Sequence, residues 1–212
     1  MQDTTTYNFR SLGLSHITHN RSTFMNHLIL IKHALPQIDE AKSAPDWQLS
    51  DSGRASCTPL AEALRPYKPD LLITSEEPKA HQTGQLVADI LQIPYTSAPD
   101  LHEHDRKGVP FIPQKTWHTT VKTFFAHPND LIFGNETAHQ ARLRFTRAVE
   151  KAVKTHPHKT IAIATHGTVI SLFTAQKTRT NGFDLWQQLN LPSYVVFDLP
   201  DYNLNAIVAE IF

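Results

Sequence analysis

Two histidines and two lysines in this sequence stand where short apolar runs end or a helix begins. Lys32 and His33 follow the run Leu28 to Ile31, and Thr165, His166 and Gly167 follow Ile161 to Ala164. A third run ends at Thr74 and Ser75, after which Pro78, Lys79 and Thr83 open a segment of helical period. Lys79 then lies in a first helical turn, beside backbone N–H groups that favour an anion. Any one histidine at a strand end is ordinarily structural. Strand ends that bring together His33, His166, Lys32 and Lys79 form a more specific pattern, because the carboxyl ends of strands in an open α/β sheet form the ligand crevice.

The elements that must position these groups follow from hydrophobic patterning. Apolar runs rich in β-branched residues predict strands at 27–32, 70–74, 160–165, 194–199 and 206–211, alternating with helical periods. Leu28 to Ile31 and Ile161 to Ala164 are apolar on both faces, as central strands covered by helices must be. The last two strands, joined through Pro200 to Asn203, read as an antiparallel pair near an edge. Thr83, Leu86, Val87, Ile90 and Leu91 mark a helix over 78–91, and Ala141 to Val153 mark a second that ends before Pro157. Segment 50–66 offers Ser50 and Ser52 as caps, but Pro59 predicts a kink or a late start. The expected fold is α/β, a three-layer α/β/α sandwich on a mostly parallel central sheet.

In this order the sequence resembles the histidine phosphatase superfamily, the phosphoglycerate mutase-like family, over residues 27–212. LILIKHA at 28–34 resembles the strand and Arg-His-Gly signature, and WQLSDSGR at 47–54 the segment that follows it. SEEPKAHQTG at 75–84 resembles the Ser-x-x-x-Arg-Ala-x-Gln-Thr-Ala motif, LHEHDRKG at 101–108 the loop of the acidic proton donor, and ATHGTVISLF at 164–173 the later His-Gly motif. The resemblance implies a phosphoglycerate mutase-like fold and metal-independent hydrolysis of a small phosphomonoester, with no cofactor. It makes His33 the nucleophile that becomes phosphohistidine. His166, Lys32 and Lys79 would surround the phosphoryl oxygens. Glu103 would be the acid and base, with partial burial raising its pKa towards working pH. Alternatives of the same chemistry are a mutase or a protein phosphohistidine phosphatase; a silent phospho-ligand binding module is the alternative outside enzymes.

Lys32 and Lys79 replace the family's two arginines, and Ala34 its glycine, which suggests a distinct subgroup. Lysine brings a point charge where arginine brings a planar fork for two oxygens. Residues 100–135 are expected to form a lid or specificity insert. Trp47, Trp117 and Trp186 read most simply as core or rim packing, although Trp117 lies in the 110–126 stretch that could roof the site, and Thr137 reads as a helix cap. His102, His104 and Asp105 admit a metal-site reading, although alternation on an extended loop turns Glu103 away from the two histidines.

Twenty Lys plus Arg balance twenty Asp plus Glu, so no overall basic field argues for nucleic acid or an anionic membrane. Cys57 is the single cysteine, which excludes an intrachain disulfide and points to a cytoplasmic setting. No apolar run approaches the roughly 20 residues of a membrane span. Residues 1–26, rich in Ser, Thr, Asn and His, read as a poorly packed extension, and residues 27–212 as the domain. The partner expected is a small phosphorylated metabolite, with neither nucleic acid nor membrane, and the oligomeric state is left open.

Overall fold

The structure, a computed structural model, describes residues 25–211; the expectation of a poorly packed extension falls, for residues 1–24, outside them. Strand β1 (His27–Lys32) and strand β4 (Ile161–Thr165) lie side by side and parallel at the centre of a six-stranded sheet of order β3-β2-β4-β1-β5-β6. β2 (Leu71–Thr74) and β3 (Tyr95–Ser97) extend the parallel part beyond β4. β5 (Ser193–Asp198) and β6 (Asn203–Val208) are antiparallel and close the other side.

Alternation sends each strand's side chains to two different cores. Leu28, Leu30, Ile161 and Ile163 pack under α5 (Ala138–Thr155) and α6 (Gly167–Thr178), against Phe145, Val149, Ile170 and Phe173. Ile29, Ile31, Ala162 and Ala164 face α2 (Cys57–Leu64) and α3 (Pro78–Leu91), against Leu60, Leu64 and Val87. Helices therefore cover both faces, as the expected sandwich requires. Short α1 (Asp51–Ala55) is capped by Ser50, whose side chain accepts from the Gly53 N–H, and the chain bends at Ser56, which leaves Pro59 in the first turn of α2. Thr137 caps α5 with a capping box completed by Gln140. α4 (Gln114–Ala126) and α7 (Gly182–Gln188) stand beside the sheet's carboxyl end and pack on each other.

One strand was not expected and another needs correction. β3, three exposed residues of sequence YTS, carries too little apolar signal to be read in advance. β6 runs 203–208 rather than 206–211, because its outward residues Asn203, Leu204 and Asn205 are exposed on an edge and blur the pattern.

Helix α3 lies close against the sheet at Gly84, where an added Cβ would lie 2.4 Å from Thr74 Cγ2 and 3.1 Å from Ala164 Cβ. That approach holds Lys79 and Ser75 above the ends of β2 and β4. Gly84→Ala should lose about 1–3 kcal/mol from overpacking, more than the helix propensity it gains, and a thermal unfolding scan should show a Tm several degrees lower. An unchanged or higher Tm would mean that this contact is not tight.

Candidate active site

His33 and His166 meet above the sheet, one at the end of β1 and one at the end of β4, with ring centroids 5.2 Å apart. Backbone bonding fixes both ends: the His33 N–H donates to Thr165 O at 3.0 Å, and the Ser75 N–H to Ala164 O at 2.8 Å. The Ala34 N–H donates to Thr83 Oγ1 at 3.0 Å, and that hydroxyl donates to Lys79 O at 2.7 Å, so α3 braces the residue after His33.

His33 Nδ1 lies 2.8 Å from Ala34 O. A carbonyl only accepts, so Nδ1 carries the proton and the neutral ring keeps its lone pair on Nε2. Burial, with His166, Lys79 and Lys32 nearby, holds the His33 pKa well below the usual histidine value. Burial and Lys79 do the same for His166. Both rings are therefore neutral at pH 7, and a buried nitrogen lone pair beside ammonium groups is equipped to attack an electrophilic centre that arrives as an anion.

Both lysines line the same cleft, yet each is occupied by acceptors of the protein itself. Lys32 Nζ donates to Leu189 O at 2.6 Å and packs over Gly167. Lys79 Nζ donates to Glu77 Oε2 at 2.5 Å and to Ala44 O at 2.9 Å. Glu77 also accepts from the Glu103 N–H at 3.0 Å and stands 3.7 Å from His166 Nε2.

The Glu103 carboxylate is buried at the same place. It accepts from the His104 N–H at 2.9 Å and from the Thr168 N–H, at the start of α6, at 3.2 Å. Burial pushes its pKa upward, but His166, the Arg106 guanidinium and the His104 N–H together leave it below the ordinary carboxylate value. The expected upward shift is thus absent, because the burial comes with donors and positive charge.

Several working parts escaped the sequence reading. Arg106 lines the cleft three residues after Glu103, its guanidinium carbon 4.5 Å from the Trp117 ring centroid. Arg144, on α5, donates to Asp100 O, His102 O and Glu103 O and pairs with Glu136 at 2.5 Å, which pins the loop carrying Glu103. Thr165 Oγ1 ties that loop to β4 through Leu101 O at 2.7 Å. Arg106 was legible in LHEHDRKG, whereas Arg144 and Glu77 act through tertiary contacts that spacing does not reveal. His104, one of the histidines of the metal reading, is buried against Phe124 and Phe133 and donates from Nε2 to Glu136 O at 2.8 Å. Among the described residues no group of three or more His, Cys, Asp or Glu is arranged to hold a metal ion, and no helix is long and apolar enough to cross a membrane.

A buried histidine pair at parallel strand ends, beside Lys32, Lys79, Arg106 and the carboxylates of Glu77 and Glu103, sits on an α/β sandwich of the phosphoglycerate mutase-like fold. Residues 28–203 match the model of the histidine phosphatase superfamily, branch 1, and the chain belongs to that superfamily. Its fold is similar to that of Bacillus stearothermophilus YhfR, at 20% identity and TM-score 0.69 over 86% of this chain and 96% of that one. It is also similar to phosphoserine phosphatase from Entamoeba histolytica, at 16% identity and TM-score 0.71 over 88% and 98%. A mycobacterial glucosyl-3-phosphoglycerate phosphatase is similar at 15% identity and TM-score 0.67 over 81% and 89%. No curated protein sequence matches the chain significantly.

The buried lysine beside His33 gives the site a pH signature. Burial lowers the Lys32 pKa to about 8, with Glu103 pulling it back upward. A lysine loses its charge as pH rises, so orthophosphate affinity should fall on the alkaline side, about tenfold per pH unit above about 8. Lys32→Arg should flatten that limb, since arginine stays protonated there. Calorimetric titration with orthophosphate checks this; an alkaline limb unchanged in Lys32→Arg would remove Lys32 from phosphate binding.

Proposed function

We propose that the chain is a phosphatase that hydrolyses small phosphomonoesters through a phosphohistidine at His33, without a metal or other cofactor. The observation that carries this reading is the His33 Nδ1 to Ala34 O bond of 2.8 Å, which leaves a lone pair on Nε2 in a buried, cation-lined cleft. His33 Nε2 attacks phosphorus, the bond from phosphorus to the ester oxygen breaks, and the leaving alkoxide takes a proton from Glu103. A water then attacks the phosphohistidine and gives its proton to Glu103, the P–N bond breaks, and orthophosphate leaves with His33 neutral again.

Lys32, Lys79, Arg106 and His166 supply the charge and hydrogen bonds that phosphoryl transfer chiefly requires. Glu103 is ionised before substrate arrives, and the incoming phosphate changes that: a like charge nearby raises a carboxyl pKa. A monoanionic ester, whose second ionisation lies near about pH 6, delivers the proton that Glu103 then donates. Lys32 and Lys79 mark a subgroup in which ammonium groups replace the family's arginines. Because Glu77 already holds Lys79, orthophosphate binds weakly and is released readily. Residues 100–135, which bring Arg106, Phe111 and Trp117 to the cleft, serve as the specificity insert. A small phosphorylated metabolite in the cytoplasm is the substrate this reading implies.

Orthophosphate release from a panel of phosphate esters, in EDTA, tests the reading. Wild-type enzyme should turn over and His33→Ala should lose at least about a thousandfold. Glu103→Gln should slow alkyl phosphates far more than an aryl phosphate whose leaving group needs little protonation. Turnover that survives in His33→Ala would overturn the proposal, and phosphoryl transfer to a second hydroxyl without release would make the chain a mutase.

A further inference from the structure

His33, Lys32, Lys79 and Glu103 occupy one end of a cleft of about 280 Å³, with the fully buried His166 packed against His33. The other end is of different chemistry. Leu35, Ile38, Phe111, Ile112, Trp117 and Trp186 line it. Leu35, Ile38 and Phe111 are among the large apolar side chains most open to solvent, at 43%, 54% and 42% exposure. Scattered exposed apolar residues mean little, but several converging on one concavity mark a surface that a ligand covers. Trp117 and Trp186 face each other edge-on, with centroids 6.3 Å apart.

What this end lacks is equally informative. No Asn, Gln, Asp or Ser side chain lines the cleft among the described residues. A sugar or amino-acid leaving group would lose water from its hydroxyl or amino groups and find few partners there. Lys42, the lysine that lines this end, pairs with Asp39 at 3.0 Å, while Arg106, beside Trp117, is engaged with the phosphate in the proposed reaction. The volume sits at the low end of ligand pockets, which run from about 300 to 1,000 Å³. It therefore suits one ring system and not a long acyl chain.

Resting on the phosphatase reading of the same cleft, we propose that the substrate is a phosphomonoester of an apolar, ring-bearing alcohol, an aryl or arylalkyl phosphate with no second anionic group. The phosphate enters the buried end, and the ring lies between Phe111, Ile38 and the two indoles. Continuity with the phosphate end fixes the orientation, because the leaving group must project from the face of phosphorus opposite His33 for in-line attack.

The test compares benzyl phosphate with ethyl and glycerol phosphates, whose alcohols are of similar acidity. Wild type should favour benzyl phosphate in kcat/KM by about ten- to a hundredfold, the range expected for burying one ring-sized apolar group. Ile38→Ser and Phe111→Ser, at exposed positions where folding is tolerant, should each lower that ratio about three- to tenfold. In parallel, calorimetry of benzylphosphonate against methylphosphonate reads the same pocket without turnover. Equal kcat/KM for all the esters would overturn the pocket while leaving the phosphatase reading intact. No hydrolysis, but tighter binding of benzylphosphonate, would uphold the pocket and overturn the phosphatase reading. No preference in either measurement overturns the inference.

Discussion

A charge withdrawn from water must be answered by the protein, and the site is organised around that constraint. Lys32, Lys79 and Glu103 are all buried at the carboxyl ends of β1, β2 and β4. Each is answered by a different loop: Lys32 by Leu189 O, Lys79 by Glu77 and Ala44 O, and Glu103 by the N–H groups of His104 and Thr168. The segments around Ala44, Leu101 to Arg106 and Leu189 lie outside the sheet. The buried charges draw them together, and Arg144 locks the middle one from behind.

The same constraint shapes the histidines. A ring kept out of water between ammonium groups stays neutral, and its one carbonyl partner fixes which nitrogen bears the proton. Lysine at position 32 fits this setting in a particular way. Guanidinium would stay charged at any relevant pH, whereas a buried ammonium can lose its proton, as the lowering of Lys32 to about 8 indicates. Glu77 and Glu103 offset part of the positive charge of Lys32, Lys79 and Arg106.

The central framework was legible because it depends on local pattern. Doubly apolar runs fixed β1 and β4, and periodic stripes with Pro78 and Thr137 at their starts fixed α3 and α5. His33, His166, Lys32 and Lys79 were legible as neighbours because the strand ends meet at the sheet's carboxyl edge, whereas Glu103 was placed with them only by the resemblance of its loop. Their charge states were not. The Glu103 pKa turns on Arg106 and on N–H groups brought by folding, and the engagement of Lys79 turns on a carboxylate two residues away whose direction the sequence leaves open. Edge strands β3 and β6 blurred for a related reason, since exposed residues carry no burial pattern. Trp117 could be placed near the site through the insert that carries it, whereas Trp186 read only as packing, and their edge-on contact takes the docking of α4 on α7.

The central claim is that Nε2 of His33 receives the phosphoryl group, because Nδ1 is held by Ala34 O. The most direct measurement is rapid quenching of the enzyme with a labelled phosphomonoester, followed by peptide mapping and identification of the phosphohistidine isomer. The account predicts an acid-labile, base-stable label on the peptide containing His33, attached at Nε2, and absent from His33→Ala. A label on His166, attachment at Nδ1, or steady turnover with no phosphoenzyme formed would contradict it.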